Sequence, residues 1–323
     1  MRIVTIKLSE FAALTGYVHD KNEEMGNIDA FPAVLVLPGG GFRTVSFREG
    51  EPIAQAYFAK GYQGFVLKYT TVTDNPNATI ETPMQEVAEA IKYLRTNAKD
   101  LALIANQICL VGFSGGGHLA AAVATHSDIK PDALILGYPG IVHSDLRAMD
   151  CPDICESVDE KTPETFMFGM NGDTVTPPEH MLAFANALNK NGIEFEMHMF
   201  KGLGHGLSLG TSYTCAGFAD DVKPRYAKWF EMSVQWLEEV FGDFKLYGVN
   251  DGRDSKYNID RNLQFLFGNQ QAKELCIEKM PVLAGFTNEK QMIEMTPRKI
   301  NGFMKTISKE ELIMLDEELS TIQ

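Results

Sequence analysis

The sequence predicts an α/β fold with a mostly parallel central sheet and helices on both of its faces. Two observations indicate this fold: short, continuously apolar segments bounded by glycine recur along the chain, and amphipathic segments with helical spacing lie between them. Strands of a parallel sheet are apolar throughout because helices cover both faces. Regular alternation of such strands with helices is typical of α/β sheets.

The strands can be placed in chain order. Segment 1–19 predicts two strands, and segment 20–27, rich in Asn, Glu and Gly, predicts a turn. The apolar run 31–37 then predicts a buried strand that ends in Pro38-Gly39-Gly40-Gly41. Further buried strands are predicted over 64–69, 107–112, 132–137, 165–169 and 194–200.

Amphipathic helices are predicted between these strands. In segment 82–97, Val87, Ala90, Ile91 and Leu94 recur at helical spacing with polar residues between them, which indicates a helix packed on the sheet. The same reasoning predicts helices over 116–125, 178–189 and 224–241.

Two segments depart from the alternation. The charged, turn-prone segment 142–163 predicts an insertion or lid over the carboxyl edge of the sheet. Beyond residue 243 only short helical patterns remain, and Ser308 with Glu311 predicts a capping box that opens a terminal helix. We therefore expect a catalytic domain over 1–242 and a small helical C-terminal extension over 243–323. The extension could pack on the main domain, mediate dimerisation or form a substrate rim.

The composition argues against several classes of protein. A formal net charge of −14 disfavours nucleic acid as a partner, because phosphate binding depends on clustered Lys and Arg. The five cysteines are odd in number and scattered, which does not fit a disulfide framework and indicates a reducing compartment. Cys151 and Cys155 lack a second Cys or His pair at zinc-site spacing, so we expect no metal and no other cofactor.

Neither export nor membrane insertion is expected. Segment 1–7 alternates like a strand and lacks the apolar core of a signal peptide. No apolar run approaches the roughly 20 residues needed to cross a bilayer. The sequence therefore predicts a soluble, cytoplasmic protein without a membrane partner.

The strongest chemical signal is Gly112-Phe113-Ser114-Gly115-Gly116, a G-x-S-x-G motif between a predicted strand and a predicted helix. A serine on such a sharp turn can serve as a nucleophile, with the helix N-terminus facing a developing oxyanion. The pentapeptide alone also occurs in structural turns. Its position after a buried strand favours Ser114 as the nucleophile.

A serine hydroxyl needs a general base, and the base needs an acceptor for its second nitrogen. Of the seven histidines, His205 is the best candidate, because it lies in a glycine-rich loop after the last predicted strand. Asp173 follows a buried strand and fits the chain order nucleophile, acid, base, although a lone aspartate there is also a common helix cap. Structural roles are expected for the other histidines: His118 and His198 in a helix and a strand, and His19, His126, His143 and His180 in turns, the insertion or a surface helix.

Backbone donors for an oxyanion are predicted in the glycine run after the strand 31–37. The N–H groups of Gly40 or Gly41, with that of Gly115, would form the oxyanion hole. The run could also cradle phosphate, but no P-loop pattern is completed here, so nucleotide binding is disfavoured.

These motifs resemble those of the esterase/lipase branch of the α/β-hydrolases. The likeness spans roughly residues 30–240 and rests on P-G-G-G-F, G-F-S-G-G-G-H-L-A, N-G-D-T-V-T-P and G-L-G-H-G. The pattern is most similar to small carbohydrate-esterase, acetylxylan-esterase-like proteins. Pro38 stands where hormone-sensitive-lipase-like relatives carry a histidine, which disfavours that group, and Gly172 replaces one member of a frequent aspartate pair.

The resemblance implies the α/β-hydrolase fold and a serine esterase that cleaves short acyl esters. An acetyl group on a sugar or oligosaccharide is the expected small-molecule substrate. Two alternatives stay open: a peptidase or amide hydrolase with the same triad, and a non-catalytic binding protein that kept the fold. The chain could also form a homo-oligomer.

Overall fold

The computed structural model of the chain describes four stretches of residues: 1–142, 148–244, 256–286 and 294–322. The chain forms two compact units. The larger unit consists of Met1–Asp20 and Ala30–Asp243, and the smaller unit consists of Lys21–Asp29 and Phe244–Gln323. The division into domains 1–242 and 243–323 stays a prediction.

A single mixed sheet forms the larger unit. Among the described residues its strands are β1 (Arg2–Lys7), β2 (Ala13–Val18), β3 (Phe31–Leu37), β4 (Gln63–Lys68), β5 (Leu103–Phe113), β6 (Ala133–Gly137), β7 (Thr165–Met170) and β8 (Phe195–Phe200). Their order across the sheet is β1-β2-β4-β3-β5-β6-β7-β8. The six strands from β3 to β8 are parallel, and β1 and β2 add an antiparallel edge. The predicted α/β class and mostly parallel sheet are confirmed.

Helices lie between the strands and after β8. They are α1 (Glu51–Phe58), α2 (Glu81–Thr96), α3 (Ser114–His126), α4 (Glu179–Lys190) and α5 (Lys228–Phe241). The last four match predicted helices, whereas α1 was not predicted, because two turns are too short to display a helical period. No helix within the described residues is long and apolar enough to cross a membrane.

The sheet is buried on both faces. In β3, Leu35 and Leu37 pack in one apolar layer, while Val34 and Val36 point into the other. Every residue of β3 is buried, as expected for a strand that helices cover on both sides. Because β3 and β5 are parallel neighbours, their carboxyl ends lie at the same edge of the sheet.

The smaller unit is helical. It contains α6 (Leu263–Phe267), α7 (Gln270–Lys279), α8 (Pro297–Met304) and α9 (Lys309–Ser320) around an apolar core of its own. The predicted capping box of Ser308 and Glu311 is confirmed at the start of α9. Ion pairs of Lys305 with Glu23 and of Lys309 with Asp29 tie segment 21–29 to this unit. Segment 21–29 was predicted as part of the first domain, so the structure assigns it differently.

The predicted insertion 142–163 is described only in part. Residues 143–147, which include His143, lie outside the described residues. In the remainder, Cys155–Ser157 form a single 3₁₀ turn.

Candidate active site

Ser114 lies at the sharp turn between β5 and α3. Its φ angle of 52° is in the left-handed region, which a residue with a side chain adopts only where the surroundings enforce it. A Cβ atom at Gly116 would overlap the carbonyl oxygen of Leu37, and one at Gly112 would overlap that of Gly116. The two glycines of the motif therefore allow β3, β5 and α3 to meet closely beneath Ser114.

His205 and Asp173 meet Ser114 from the carboxyl edge of the sheet. The Oγ of Ser114 lies 2.8 Å from Nε2 of His205, and Nδ1 of His205 lies 2.7 Å from Oδ2 of Asp173. Because an ionised carboxylate can only accept, the imidazole carries its proton on Nδ1 and donates a hydrogen bond from there to Asp173. Nε2 is then an acceptor for the proton of the serine hydroxyl. The three residues predicted from the sequence are brought together.

The carboxylate of Asp173 is held by several donors. Its Oδ1 accepts from the N–H groups of Val175 (2.8 Å) and Thr176 (3.0 Å), and the hydroxyl of Thr176 lies 3.1 Å from Oδ2. Burial by itself raises the pKa of Asp173, but the hydrogen bonds from His205, Thr176 and Val175 outweigh it and hold the pKa below its ordinary value. The carboxylate is therefore ionised at neutral pH. Asp173 is not a helix cap, the alternative that the sequence left open, because the N-cap of α4 is Pro178 and the carboxylate instead closes the turn before it.

Gly41 and Gly115 lie side by side next to the nucleophile. A Cβ atom at Gly115 would lie 3.1 Å from the amide nitrogen of Gly41. The N–H of Gly115 is in the first turn of α3, where a helix offers no acceptor of its own. Gly40 has a φ of 136°, and its carbonyl accepts from Arg43 and Thr44, so it closes the turn of this loop. Of the three predicted oxyanion glycines, Gly41 and Gly115 are thus adjacent.

Two other histidines have structural partners, as predicted. The ring of His118 is buried in α3, and its Nδ1 lies 2.7 Å from the carbonyl oxygen of Gly140. His198 in β8 is 2.5 Å from the carboxylate of Glu196.

The prediction for His180 was wrong in its placement. It was expected in a surface helix, but its side chain is buried, and Nδ1 accepts from the N–H groups of Ile141 (2.9 Å) and Val142 (3.1 Å). The loop after β6 folds back over α4, and buried backbone donors there need an acceptor. His180 supplies it.

Two residues of the site were missed by sequence reasoning. Tyr138 follows β6, and its ring stands edge-on to the ring of His205 at 5.0 Å. Its carbonyl oxygen lies 3.0 Å from the hydroxyl oxygen of Thr176. Glu49 is buried, and its carboxylate accepts a hydrogen bond from the hydroxyl of Tyr138. The position of Tyr138 at the carboxyl end of a strand was a usable signal, whereas nothing local marks Glu49.

The arrangement is suited to acyl transfer. It contains a hydroxyl, a neutral imidazole that can accept its proton, a buried carboxylate that stabilises the charged imidazole, and two adjacent amides.

Two family models match this chain. Residues 21–134 match the BD-FAE model, and residues 143–243 match the prolyl oligopeptidase family.

Curated relatives cover parts of the chain. The chain is 29% identical, over an alignment of 215 residues, to endo-1,4-beta-xylanase B of Butyrivibrio fibrisolvens, and the match covers 58% of this chain and 34% of that protein. It is 24% identical, over an alignment of 267 residues, to the acetylxylan esterase of Xylanibacter ruminicola, and that match covers 73% of this chain and 54% of that protein. The chain thus spans about one third to one half of the length of these relatives.

Solved structures share the fold over most of their length. An acetyl ester-xyloside bifunctional hydrolase from Caldicellulosiruptor lactoaceticus superposes with a TM-score of 0.60 at 28% identity, over 72% of this chain and 89% of that one. MGS-M1, an α/β hydrolase enzyme from a Medee basin deep-sea metagenome library, superposes with a TM-score of 0.70 at 38% identity, over 74% of this chain and 98% of that one. The resemblance seen in the motifs is confirmed, and the chain belongs to the α/β hydrolases.

Proposed function

We propose that this chain is a serine carboxylic ester hydrolase with Ser114 as its nucleophile. The observation that supports this most directly is the pair of short contacts from Ser114 to His205 (2.8 Å) and from His205 to Asp173 (2.7 Å). Relatives described as an acetylxylan esterase and an acetyl ester-xyloside bifunctional hydrolase support the same chemistry.

In the proposed reaction, Oγ of Ser114 attacks the ester carbonyl carbon while Nε2 of His205 accepts the hydroxyl proton. Asp173 stabilises the imidazolium that forms, and the N–H groups of Gly115 and Gly41 donate to the tetrahedral oxyanion. Collapse breaks the bond to the alcohol, which leaves with the proton from His205. Water then attacks the acyl-enzyme with His205 again as base, which releases the carboxylic acid and restores Ser114.

The proposed substrates are short acyl esters, with acetyl on a sugar or oligosaccharide favoured. The relative from Xylanibacter ruminicola is an acetylxylan esterase, and the structural neighbour from Caldicellulosiruptor lactoaceticus is an acetyl ester-xyloside bifunctional hydrolase. Such a substrate is neutral, which suits a chain with a formal net charge of −14.

Ester hydrolysis by matched serine variants tests this proposal. The substrates are p-nitrophenyl acetate, butyrate and octanoate, together with acetylated xylo-oligosaccharides. Ser114→Ala should abolish hydrolysis, whereas Ser127→Ala, at the opposite end of α3, should retain it. Fastest turnover of the acetyl substrates is expected. A wild type inactive on every ester, or a Ser114→Ala variant as active as the wild type, would refute the proposal.

A peptidase is the second candidate, because residues 143–243 match the prolyl oligopeptidase family. That segment contains Asp173 and His205, so the same triad would serve an amide substrate. Xaa-Pro p-nitroanilides separate the two candidates. Turnover of the anilide with a higher kcat/KM than that of p-nitrophenyl acetate would favour the peptidase.

A further inference from the structure

Glu49 is a buried carboxylate that accepts hydrogen bonds from two segments of the candidate site, one at each oxygen. It is 4% exposed. Its Oε2 accepts from the N–H of Gly39 at 2.9 Å, and its Oε1 accepts from the hydroxyl of Tyr138 at 2.5 Å. A carboxylate this deeply buried is costly unless donors satisfy both oxygens. The two donors, Gly39 and Tyr138, lie next to Ser114 and His205, respectively.

On one side, Glu49 holds the loop that carries the oxyanion glycines. Gly39 lies between Glu49 and the nucleophile, since a Cβ atom there would be 2.6 Å from Oε2 of Glu49 and 3.0 Å from Cβ of Ser114. Gly41 follows two residues later. An anchor on the amide of Gly39 therefore restricts where the N–H of Gly41 can point.

On the other side, Glu49 holds Tyr138, whose ring lies edge-on to His205. The phenol donates to Glu49 and accepts from the N–H of Ser208 at 3.1 Å. Burial, and next the charge of Glu49, raise the pKa of Tyr138 well above its ordinary value, so the phenol keeps its proton. Ser208 is three residues beyond His205, so the contact reaches the loop that carries the base.

The residue before Glu49 contacts the same loop. The hydroxyl of Ser208 donates to the carbonyl oxygen of Arg48 at 2.5 Å. The guanidinium of Arg48 donates to the carbonyl oxygens of Gly206 (3.1 Å) and Thr214 (2.9 Å). Gly206 directly follows His205. The loop that follows His205, which we call the histidine loop, is thus held by both the backbone carbonyl and the guanidinium of Arg48.

We propose that Glu49 is a positioning residue that holds Gly41 and His205 in register with Ser114, acting through Gly39 and Tyr138. This inference rests on the proposed ester hydrolysis. Glu49 touches no reacting atom, so its removal should disturb the oxyanion donor and the base rather than substrate binding. Both groups act in the transition state, and kcat should therefore fall while KM changes little.

Two variants probe the two sides of Glu49. Glu49→Gln keeps the size of the side chain but offers one acceptor instead of two, so either Gly39 or Tyr138 loses its acceptor. Tyr138→Phe keeps the ring beside His205 and removes only the hydroxyl. Tyr138→Phe breaks only the contact between Glu49 and Tyr138, so it tests the histidine side of Glu49 separately from the Gly39 side.

Glu86 provides a matched control. It is also 4% exposed, and it accepts from the N–H of Thr70 (2.8 Å), the hydroxyl of Thr70 (2.5 Å) and the hydroxyl of Ser9 (2.8 Å). It thus has the same burial and the same kinds of donor as Glu49, but it contacts neither the glycine loop nor the histidine loop. Glu86→Gln reports the effect of a buried carboxylate on folding alone.

The experiment measures three quantities for each variant: kcat and KM for p-nitrophenyl acetate, the rate constant for labelling of Ser114 by a fluorophosphonate, and the midpoint of thermal unfolding. In labelling, Oγ of Ser114 bonds to phosphorus, fluoride leaves and His205 accepts the hydroxyl proton, so the reaction needs the nucleophile, the base and the oxyanion donors but no carboxylic ester substrate. Glu49→Gln and Tyr138→Phe should lower kcat and the labelling rate by roughly 10- to 100-fold, the size of effect that small misplacements produce. Glu86→Gln should lower the unfolding midpoint and leave both rates unchanged.

The outcomes separate the two proposals. In one outcome, the wild type reacts normally while Glu49→Gln and Tyr138→Phe are no slower than Glu86→Gln per folded molecule. That result would overturn the positioning role but not the proposed hydrolase. A rise in KM at constant kcat would also overturn the positioning role. A wild type inert to both the ester and the fluorophosphonate would remove the proposed hydrolase and the positioning role with it.

Discussion

Replacing Asp173 by asparagine changes one atom and removes the acceptor for His205. The two N–H groups of Val175 and Thr176 both donate to Oδ1. The asparagine oxygen should stay on those two donors, which directs its NH₂ group at Nδ1 of His205. The imidazole must then accept at Nδ1 and carry its proton on Nε2, facing Ser114. In that tautomer it cannot take the serine proton.

The expected loss of kcat is large because the variant forms good hydrogen bonds only with the tautomer that carries its proton on Nε2, which cannot act as a base toward Ser114. Trapping a triad histidine in this way costs about 10⁴-fold in kcat. Four factors of ten correspond to about 5.4 kcal/mol of transition-state stabilisation.

Hydrolysis of p-nitrophenyl acetate at pH 7, with circular dichroism to count folded molecules, measures the effect. Asp159→Asn is the matched control, because Asp159 also accepts from a backbone N–H, that of Lys161, in a turn before β7. Asp159→Asn should retain wild-type kcat. An Asp173→Asn variant within about 10-fold of the wild type would refute the role of Asp173 as the acceptor that sets the tautomer.

Unfolding at low pH, a glycine-to-alanine substitution and a truncation of the chain test other parts of the structure. Because the pKa of Asp173 is held below 3.8, its ionised form stabilises the fold above about pH 4, and this contribution is lost as pH falls through the lower folded-state pKa. Urea unfolding from pH 6 down to pH 2 should therefore show a steeper fall in unfolding free energy for the wild type than for Asp173→Asn; parallel curves would contradict this. Gly116→Ala should lose about 1–3 kcal/mol of stability because its methyl overlaps the carbonyl of Leu37, whereas Gly302→Ala, in open space on α8, should gain about 0.5–1 kcal/mol; equal effects in urea unfolding would count against the close approach. Residues 1–243 alone should fold and keep kcat for p-nitrophenyl acetate within about 2-fold, since the core of the larger unit and the candidate triad lie within them; a folded but inactive fragment would argue against the domain division.

Most of the sheet could be predicted because its signals are local. The apolar run 31–37 became β3 at the same residues, fully buried as its composition indicated. The helix 51–58 was missed, since Ile53, Ala54 and Tyr57 form only a single apolar repeat. Short helices depend on tertiary packing more than on a pattern visible in the chain.

The supports of the site could not be predicted because their partners are distant in sequence. Glu49 and Tyr138 are 89 residues apart, and neither lies in a motif that indicates the other. The burial of His180 likewise follows from a loop that folds over α4, not from the apolar pattern of α4 itself. Contacts of this kind arise only once the strands are ordered in the sheet.

By itself the sequence determined the α/β class and the identity of Ser114, Asp173 and His205 as candidates. A buried strand followed by a glycine-rich turn is a local pattern, so neighbouring residues are enough to recognise it. Only the tertiary structure decided that Nε2 of His205, 91 residues along the chain, lies 2.8 Å from Oγ of Ser114. It also decided that Glu49 accepts from both Gly39 and Tyr138. The physical reason is the parallel sheet: it gathers the carboxyl ends of β3, β5, β6 and β7 at one edge, and so brings together side chains that no local pattern connects.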